Sequence, residues 1–426
     1  ACLVGSEMCI RDRDDKYGYI WIVSTQGLYA LQKRPGSVIN SVDISHISSK
    51  LNNIFSEIVK DKSGNLWIAA FNEGLSMIDL NRPLIQNYSF PSIREKTGFV
   101  TNIKNIYEDK DGDLWIDQNR WGVGIFTPKS NKLLFCTDIP SLKNINNLKN
   151  ISCITSVSSI DEIWLGSEYY SEICRLKKNK DRIEFLGTLK LSDFVENPGF
   201  PRFFYEDSKH NLWVVTTKKI LVKPADEKQL QDTNFPLMDI TGIKEGKDGT
   251  LWISTRKQGV YNVIVSPGLT FEEKKIRNLT AQTDGLINDN IGAICVDDSG
   301  LVWMGSQEGD VFTYDPQTKK VENLSNMFDM LEEGIYNIIM DQLGHIWIST
   351  NKRVVEYDPK NGGIMDYSTM GDVTVNSFMP NSYFKSSSGK ILYGGNRGIS
   401  VFTPYEHLSD EPRRIKTMVA DVKIDG

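Results

Sequence analysis

One tryptophan returns along the chain at Trp21, Trp67, Trp115, Trp164, Trp213, Trp252, Trp303 and Trp347, with Leu392 in its place in a ninth copy. Neighbouring copies lie 39 to 51 residues apart. Each copy has the same grammar. An apolar run such as NIFSEIVKD comes first. A turn follows, with Gly three residues before the Trp in Gly64, Gly112, Gly249, Gly300 and Gly344. The Trp segment leads into a short loop often ending in Gly, then a segment such as GLSMID and a closing one such as LIQNYSF. Alternation of apolar and polar positions, with many β-branched and aromatic residues, indicates strands, and no stretch carries a 3.6-residue period. The units at Trp164 and Trp213 lack the turn Gly.

Four strands repeating every 40–50 residues define an all-β, blade-repeat protein, a β-propeller. Each repeat Trp is expected to pack one blade on the next. Burying an indole hides roughly 150–250 Å2, a gross gain of about 4–6 kcal/mol. Propellers typically close with about four to eight blades, so nine units do not fit one ring. The last seven, from the Trp115 unit to the Leu392 unit, are expected to form a seven-bladed β-propeller over residues 93–408. Residues 14–92 are then the last two blades of an incomplete N-terminal propeller. Residues 1–13, ACLVGSEMCIRDR, lack the basic start and apolar core of a signal peptide. They resemble translated sequencing-adapter read-through and are set aside as artefactual, which puts the natural N-terminus further upstream.

Composition narrows the function. A net charge of −6 over 426 residues argues against a nucleic-acid or anionic-membrane binder, which needs a basic face. No run approaches the roughly 18 apolar residues of a membrane span. The six cysteines form no CxxC and have no His at ligand spacing, so they read as free or buried thiols and no zinc site is expected. Only His46, His210, His345 and His407 occur, none in a metalloprotease pattern, and no nucleophile-elbow or phosphate-loop motif is present. His210 and His345 fall in the turn before the Trp strand. Asp109, Asp111 and Asp113 are similar to a calcium loop, but the Gly is misplaced for an EF-hand and position twelve is Arg120. They are assigned to the turn and to solvent. No cofactor or metal is expected.

The units at Trp67, Trp252, Trp303 and Trp347 match best the pattern D-x-x-G-x-[LI]-W-[IV]-[GSA]-[ST] followed by a Gly-[LIV] strand, and TDGLINDNIGAICVDDSGLVW follows it closely. In these features the chain resembles the two-component regulator propeller repeats over nearly all of residues 14–426. Such repeats form the periplasmic sensor region of hybrid two-component histidine kinases in Bacteroidetes. The resemblance implies two seven-bladed propellers, an immunoglobulin-like domain, one membrane helix, a kinase, a receiver and a DNA-binding module in the whole protein. Residues 409–426 look like the start of the immunoglobulin-like domain. The implied role is recognition of a glycan-derived oligosaccharide in the periplasm, by a fragment that is not itself an enzyme. The full-length protein would be a membrane-anchored, homodimeric histidine kinase, and this fragment would bind no nucleic acid.

Ligand contacts are expected in the loops after the Trp strands, which open on one face of a propeller. These loops read QNRWG, SEYYSE, TRKQG and GGNRG. Trp121, Tyr169 and Tyr170 offer stacking faces, while Arg120, Arg256, Lys257, Asn396 and Arg397 offer donors for hydroxyls or a carboxylate. Two other classes remain open. A propeller lyase or glycosidase needs a His or paired carboxylates converging on the axis. A propeller scaffold would present a face to a protein partner.

Overall fold

The computed structural model of the chain describes residues 11–14, 19–24, 27–32, 40–41, 55–61, 66–70, 74–78, 84–90, 102–118 and 122–404, less 144, 146–147, 180–181, 236–238, 332 and 369–372. The chain divides into two compact units, a smaller one of residues 1–83, 359–363 and 405–426 and a larger one of residues 84–358 and 364–404.

The larger unit is a seven-bladed β-propeller in which every blade is a four-stranded antiparallel sheet. Blade 1 runs Ile103–Glu108, Leu114–Gln118, Gly122–Thr127, Lys132–Phe135. Blade 2 runs Ile151–Val157, Glu162–Ser167, Glu172–Asn179, Arg182–Lys190. Blade 3 runs Pro201–Glu206, Leu212–Thr216, Ile220–Lys223, Gln231–Asp232. Blade 4 runs Ile240–Glu245, Leu251–Thr255, Val260–Val263, Ile276–Leu279. Blade 5 runs Ile291–Val296, Val302–Ser306, Val311–Asp315, Lys320–Asn323. Blade 6 runs Asn337–Met340, Ile346–Ser349, Val354–Asp358, Gly363–Asp366. Blade 7 takes Phe378–Lys385, Ile391–Gly395 and Gly398–Thr403 from the end of the ring and its outer strand, Leu84–Tyr88, from the beginning.

That last strand corrects the sequence reading. LIQNYSF was expected to close the Trp67 unit, with the ring starting at 93. Instead Leu84–Tyr88 pairs with Gly398–Thr403, from Thr403↔Leu84 to Ile399↔Tyr88. The physical reason is the free edge. A ring whose seven blades were each built from one continuous segment would close by side-chain packing alone. Borrowing the outer strand closes it with a hydrogen-bond ladder between segments 313 residues apart, as in the Ser400–Asn87 pair.

The core is divided among the blade interfaces as the Trp period implies. Trp115 packs with Ile163, Leu165 and Cys174 of blade 2, and Trp164 with Leu212, Val214 and Leu221 of blade 3. Trp213 meets Ile240, Leu251 and Ile253 of blade 4. Trp252, Trp303 and Trp347 repeat the contact onto blades 5, 6 and 7. Leu392 closes the circle against Ile103, Ile106 and Ile116 of blade 1. These six Trp and Leu392 are all at most 4% exposed.

The repeat carries a second device beyond turn chemistry. The Asp six residues before the Trp accepts the indole N–H on one oxygen: Asp109 from Trp115 at 2.8 Å, and Asp207, Asp297 and Asp341 from Trp213, Trp303 and Trp347 at 2.9 Å each. Its other oxygen caps the turn, as Asp297 Oδ1 does for the N–H groups of Ser299 and Leu301. The turn Gly holds positive φ, 82° at Gly112 and 92° at Gly300. In the two units without Gly the same left-handed position is held by Asp161 (52°) and His210 (63°). The departure from the motif thus changes the residue and keeps the backbone.

Asp109, Asp111 and Asp113 do not simply face solvent. Lys178 of blade 2 places its Nζ among their carboxylates at 2.7, 3.1 and 2.6 Å, with its own side chain 7% exposed. A lysine ammonium fills the place a cation would take and joins blades 1 and 2.

The smaller unit contains a four-stranded antiparallel sheet, Arg11–Asp14, Tyr19–Ser24, Gly27–Gln32 and Asn40–Ser41, and a three-stranded one, Phe55–Lys60, Leu66–Ala70 and Gly74–Ile78. Trp67 donates to Asp61 Oδ2 at 2.9 Å, the same bond as in the ring. Arg11, Asp12 and Arg13 pair with Val23, Ile22 and Trp21, so the first strand reaches into the segment set aside as artefactual. Residues 409–426, expected to open an immunoglobulin-like domain, lie outside the described residues.

Candidate functional site

The first strands of all seven blades line an axial cavity of about 490 Å3. Blade geometry fixes which end is which. Each first strand begins beside the end of its Trp strand, as in Ile240↔Thr255 and Pro201↔Thr216. The loops after the Trp strands therefore surround the mouth where the first strands start. Arg202 and Arg256 line the cavity at this end. Arg256 is half exposed and its Nε lies 3.7 Å from Asp239 Oδ2.

Deeper in the channel lies a layer of side chains directly across from the repeat tryptophans. Tyr107 faces Trp115, Thr155 faces Trp164, Tyr205 faces Trp213 and Phe384 faces Leu392. At the same level blade 4 supplies Lys244, opposite Trp252. Its Nζ stands 5.8 Å from the centre of the Tyr205 ring. Among the described residues lining the cavity there are three cations, Arg202, Lys244 and Arg256, and no Asp, Glu or His.

A second cavity of about 320 Å3 opens between blades 1, 2, 3 and 7, lined in part by Lys104, Asn105, Glu168 and Arg202. Lys104 and Glu168 form an ion pair at 3.4 Å. Behind them sits Asp117, 2% exposed, with no hydrogen-bond donor on Oδ1 among the described residues. Burial pushes its carboxyl up to about 7, opposed by the Lys104 charge and reinforced by Glu168. Near neutral pH this group can donate a proton as well as accept one.

The loop residues singled out from the sequence fall into four groups. Arg256 lines the axial cavity. Tyr169 and Tyr170 are exposed by 59% and 54% at the blade 2 loop, and Lys257 and Arg397 are exposed with left-handed backbones, φ 69° and 70°. Asn396 is engaged in the fold: its Oδ1 accepts from the N–H groups of Asn376 and Ser377 at 3.1 and 3.0 Å. Arg120 and Trp121 lie outside the described residues. Lys244, Arg202 and the channel tyrosines are not among the residues expected from the sequence, because they sit on first strands rather than in loops. One signal is present in the sequence: the residue eight before the Trp is Tyr107 and Tyr205 in two units, and a charged residue, Lys244, in the Trp252 unit, where Gly246 stands in place of the turn Asp.

One buried cluster elsewhere resembles a ligand set. Asp341, His345 and Glu356 offer three ligand atoms within 4.8 Å of one another. They are already bonded: His345 Nδ1 lies 2.6 Å from Glu356 Oε1, Asp341 holds Trp347, and Tyr367 donates to Glu356. The cluster joins the turn, Trp and third strands of blade 6.

The described cysteines, Cys136, Cys153, Cys174 and Cys295, are free and buried. Burial pushes Cys136 and Cys153 up to about 12 and Cys174 to about 11.

Fold and channel together define the class: a seven-bladed β-propeller with a polar axial cavity. Residues 285–308, which lead into and include the Trp303 strand, match the family model described as two component regulator propeller. Solved structures agree on the fold. A chain described as the extracellular domain of hybrid two component system BT3049 from B. thetaiotaomicron superposes with a TM-score of 0.62 at 20% identity, over 93% of this chain and 51% of that one. The corresponding domain of BT4673 from the same organism gives 0.56 at 18%, over 95% and 54%. This chain thus spans about half the length of those domains. A streptogramin B lyase gives 0.54 at 13%, over 75% of this chain and 97% of that one. No curated protein sequence matches the chain.

Proposed function

We propose that this chain is part of the periplasmic ligand-sensing region of a hybrid two-component sensor, and that its ring binds a glycan-derived oligosaccharide at the mouth of the axial channel. The observation that carries the reading is the pairing of a two component regulator propeller repeat with a ring whose axis holds an open, polar cavity. Sugars need flat faces and multidentate donors. Arg256 at the cavity and the exposed Tyr169 and Tyr170 supply both kinds, and Arg120, Trp121, Lys257, Asn396 and Arg397 complete the proposed loop set. The whole protein would be a membrane-anchored, homodimeric histidine kinase, in which ligand at the propellers signals to the kinase. A lyase or glycosidase on this fold would place a His or paired carboxylates on the axis; the cations and amides described there favour binding over hydrolysis.

Calorimetry with a panel of plant and host oligosaccharides tests the reading. At least one glycan should bind, and Arg256→Ala or Trp121→Ala should weaken it by more than about 0.5 kcal/mol, beyond the range of neutral surface changes. No binding across the panel, or binding indifferent to both substitutions, would overturn the proposed site.

A further inference from the structure

We infer that the axial channel is an anion site: its ligand carries a carboxylate, sulfate or phosphate group that is drawn past Arg202 and Arg256 and held at Lys244. The inference takes from the proposed function only that the channel is where a ligand enters.

The protein carries −6 overall, yet the described residues lining the 490 Å3 cavity include three cations and no carboxylate. This is a local reversal of sign, and low-dielectric walls focus such a field along the axis. Lys244 is the decisive residue. It is half-buried, on a first strand, at the level where other blades place Tyr107, Thr155, Tyr205 and Phe384. The groups that act on its charge are Tyr383, Cys295 and Tyr205, whose ring lies 5.8 Å away in a weak cation–π contact, and none of them is a carboxylate. Taking an ammonium out of bulk water without a carboxylate beside it is unfavourable. Two buried lysines elsewhere in the ring show what a withdrawn ammonium is given: Lys178 is held by three aspartates, and Lys223 by Ser159 Oγ and the Pro224 carbonyl at 3.2 and 3.0 Å. An oxyanion in the channel would give Lys244 what the fold gives Lys178.

The three cations are also spaced for capture. Arg202 and Arg256 sit where the first strands begin. Lys244 lies four residues along its strand from Ile240, about 13 Å deeper at roughly 3.3 Å per residue. A ligand with one anionic end could seat that end against Lys244, between Tyr107 and Tyr205, while its neutral body meets the amides of Asn105 and Asn337 nearer the mouth. Two sources share this chemistry: an acidic sugar, through its uronate, and a free inorganic oxyanion.

Calorimetry on the full chain separates them, with D-glucuronate, inorganic sulfate and neutral methyl glucoside as probes. The inference predicts that glucuronate or sulfate binds at least ten-fold more tightly than methyl glucoside, and that affinity falls as ionic strength rises. Binding of glucuronate alone identifies an acidic sugar; binding of both with equal strength identifies any oxyanion. Lys244→Met should erase the ten-fold preference, and Lys244→Arg should restore most of it, which separates loss of charge from loss of fold. If neither anion outbinds methyl glucoside, or if Lys244→Met keeps the preference, the inference falls. Neutral oligosaccharides binding through Arg256 would still leave the proposed sensor function standing.

Discussion

At the scale of single residues the repeat is held by an acid–indole pair. Asp297 bonds the Trp303 indole at 2.9 Å and caps its own turn with the other oxygen. Trp303→Ala should cost about 3–5 kcal/mol, as for other buried aromatics. Asp297→Ala should cost about 1.5–3 kcal/mol, the range for hydrogen bonds to charged groups. Chemical denaturation reads both, and a midpoint unmoved by either would place these side chains outside the core. His210 offers a change of opposite sign. It holds φ 63° where other blades use Gly, so His210→Gly should stabilise by about 0.5–1 kcal/mol. A loss of stability there would mean its contacts with Glu206 and Ser158 outweigh the backbone strain. Asp117 gives a pH signature. Its folded pKa, about 7, lies above the ordinary 3.8. Between those values the folded state holds a proton that the unfolded state has released, so stability falls as pH rises through this window. Asp117→Asn should flatten that fall, seen in melting temperature between pH 4 and 8; an unchanged profile would remove Asp117 as its cause.

At the scale of strands and blades, most of the fold could be read from the Trp period, because each Trp marks the second strand of a sheet and the turn Gly fixes its start. What the period could not show is which sheet an outer strand joins. Several outer strands are short and partly exposed: Lys320–Asn323 and Gln231–Asp232 carry few of the apolar positions that make a register legible. LIQNY follows the Trp67 unit in sequence and so was assigned to it, yet its ladder is with Gly398–Thr403. Loops were a poor guide to the channel for a related reason: the cavity is lined mainly by first strands, whose inward residues look like ordinary core in a single sequence. Lys178 shows the same limit, since the three aspartates are close in sequence but their partner comes from the next blade. Lys178→Met should leave those carboxylates without their cation and destabilise by about 3–5 kcal/mol, measured by urea unfolding. An effect below about 0.5 kcal/mol, the range of neutral surface changes, would show that the aspartates are adequately solvated without it.

At the scale of the whole molecule, ring closure sets what the channel can do. Seven first strands surround one axis only if blade 7 meets blade 1, and the Leu392–Ile103 contact and the Leu84–Tyr88 ladder provide that meeting. A chain shortened to begin at residue 89 should therefore melt well below one beginning at residue 80, although both keep all six Trp of the ring. The most direct measurement is a cross-link at the closure. Asn87 and Ser400 are partners across the ladder, with their side chains 2.7 Å apart, and the described native cysteines are buried. With Asn87→Cys and Ser400→Cys together, mild oxidation of the folded protein should join the two thiols within one chain, visible as faster migration on a non-reducing gel, and should raise the melting temperature. Thiols that remain free, or that link only between molecules, would mean that Leu84–Tyr88 is not the seventh blade's outer strand and that the ring is not closed as described.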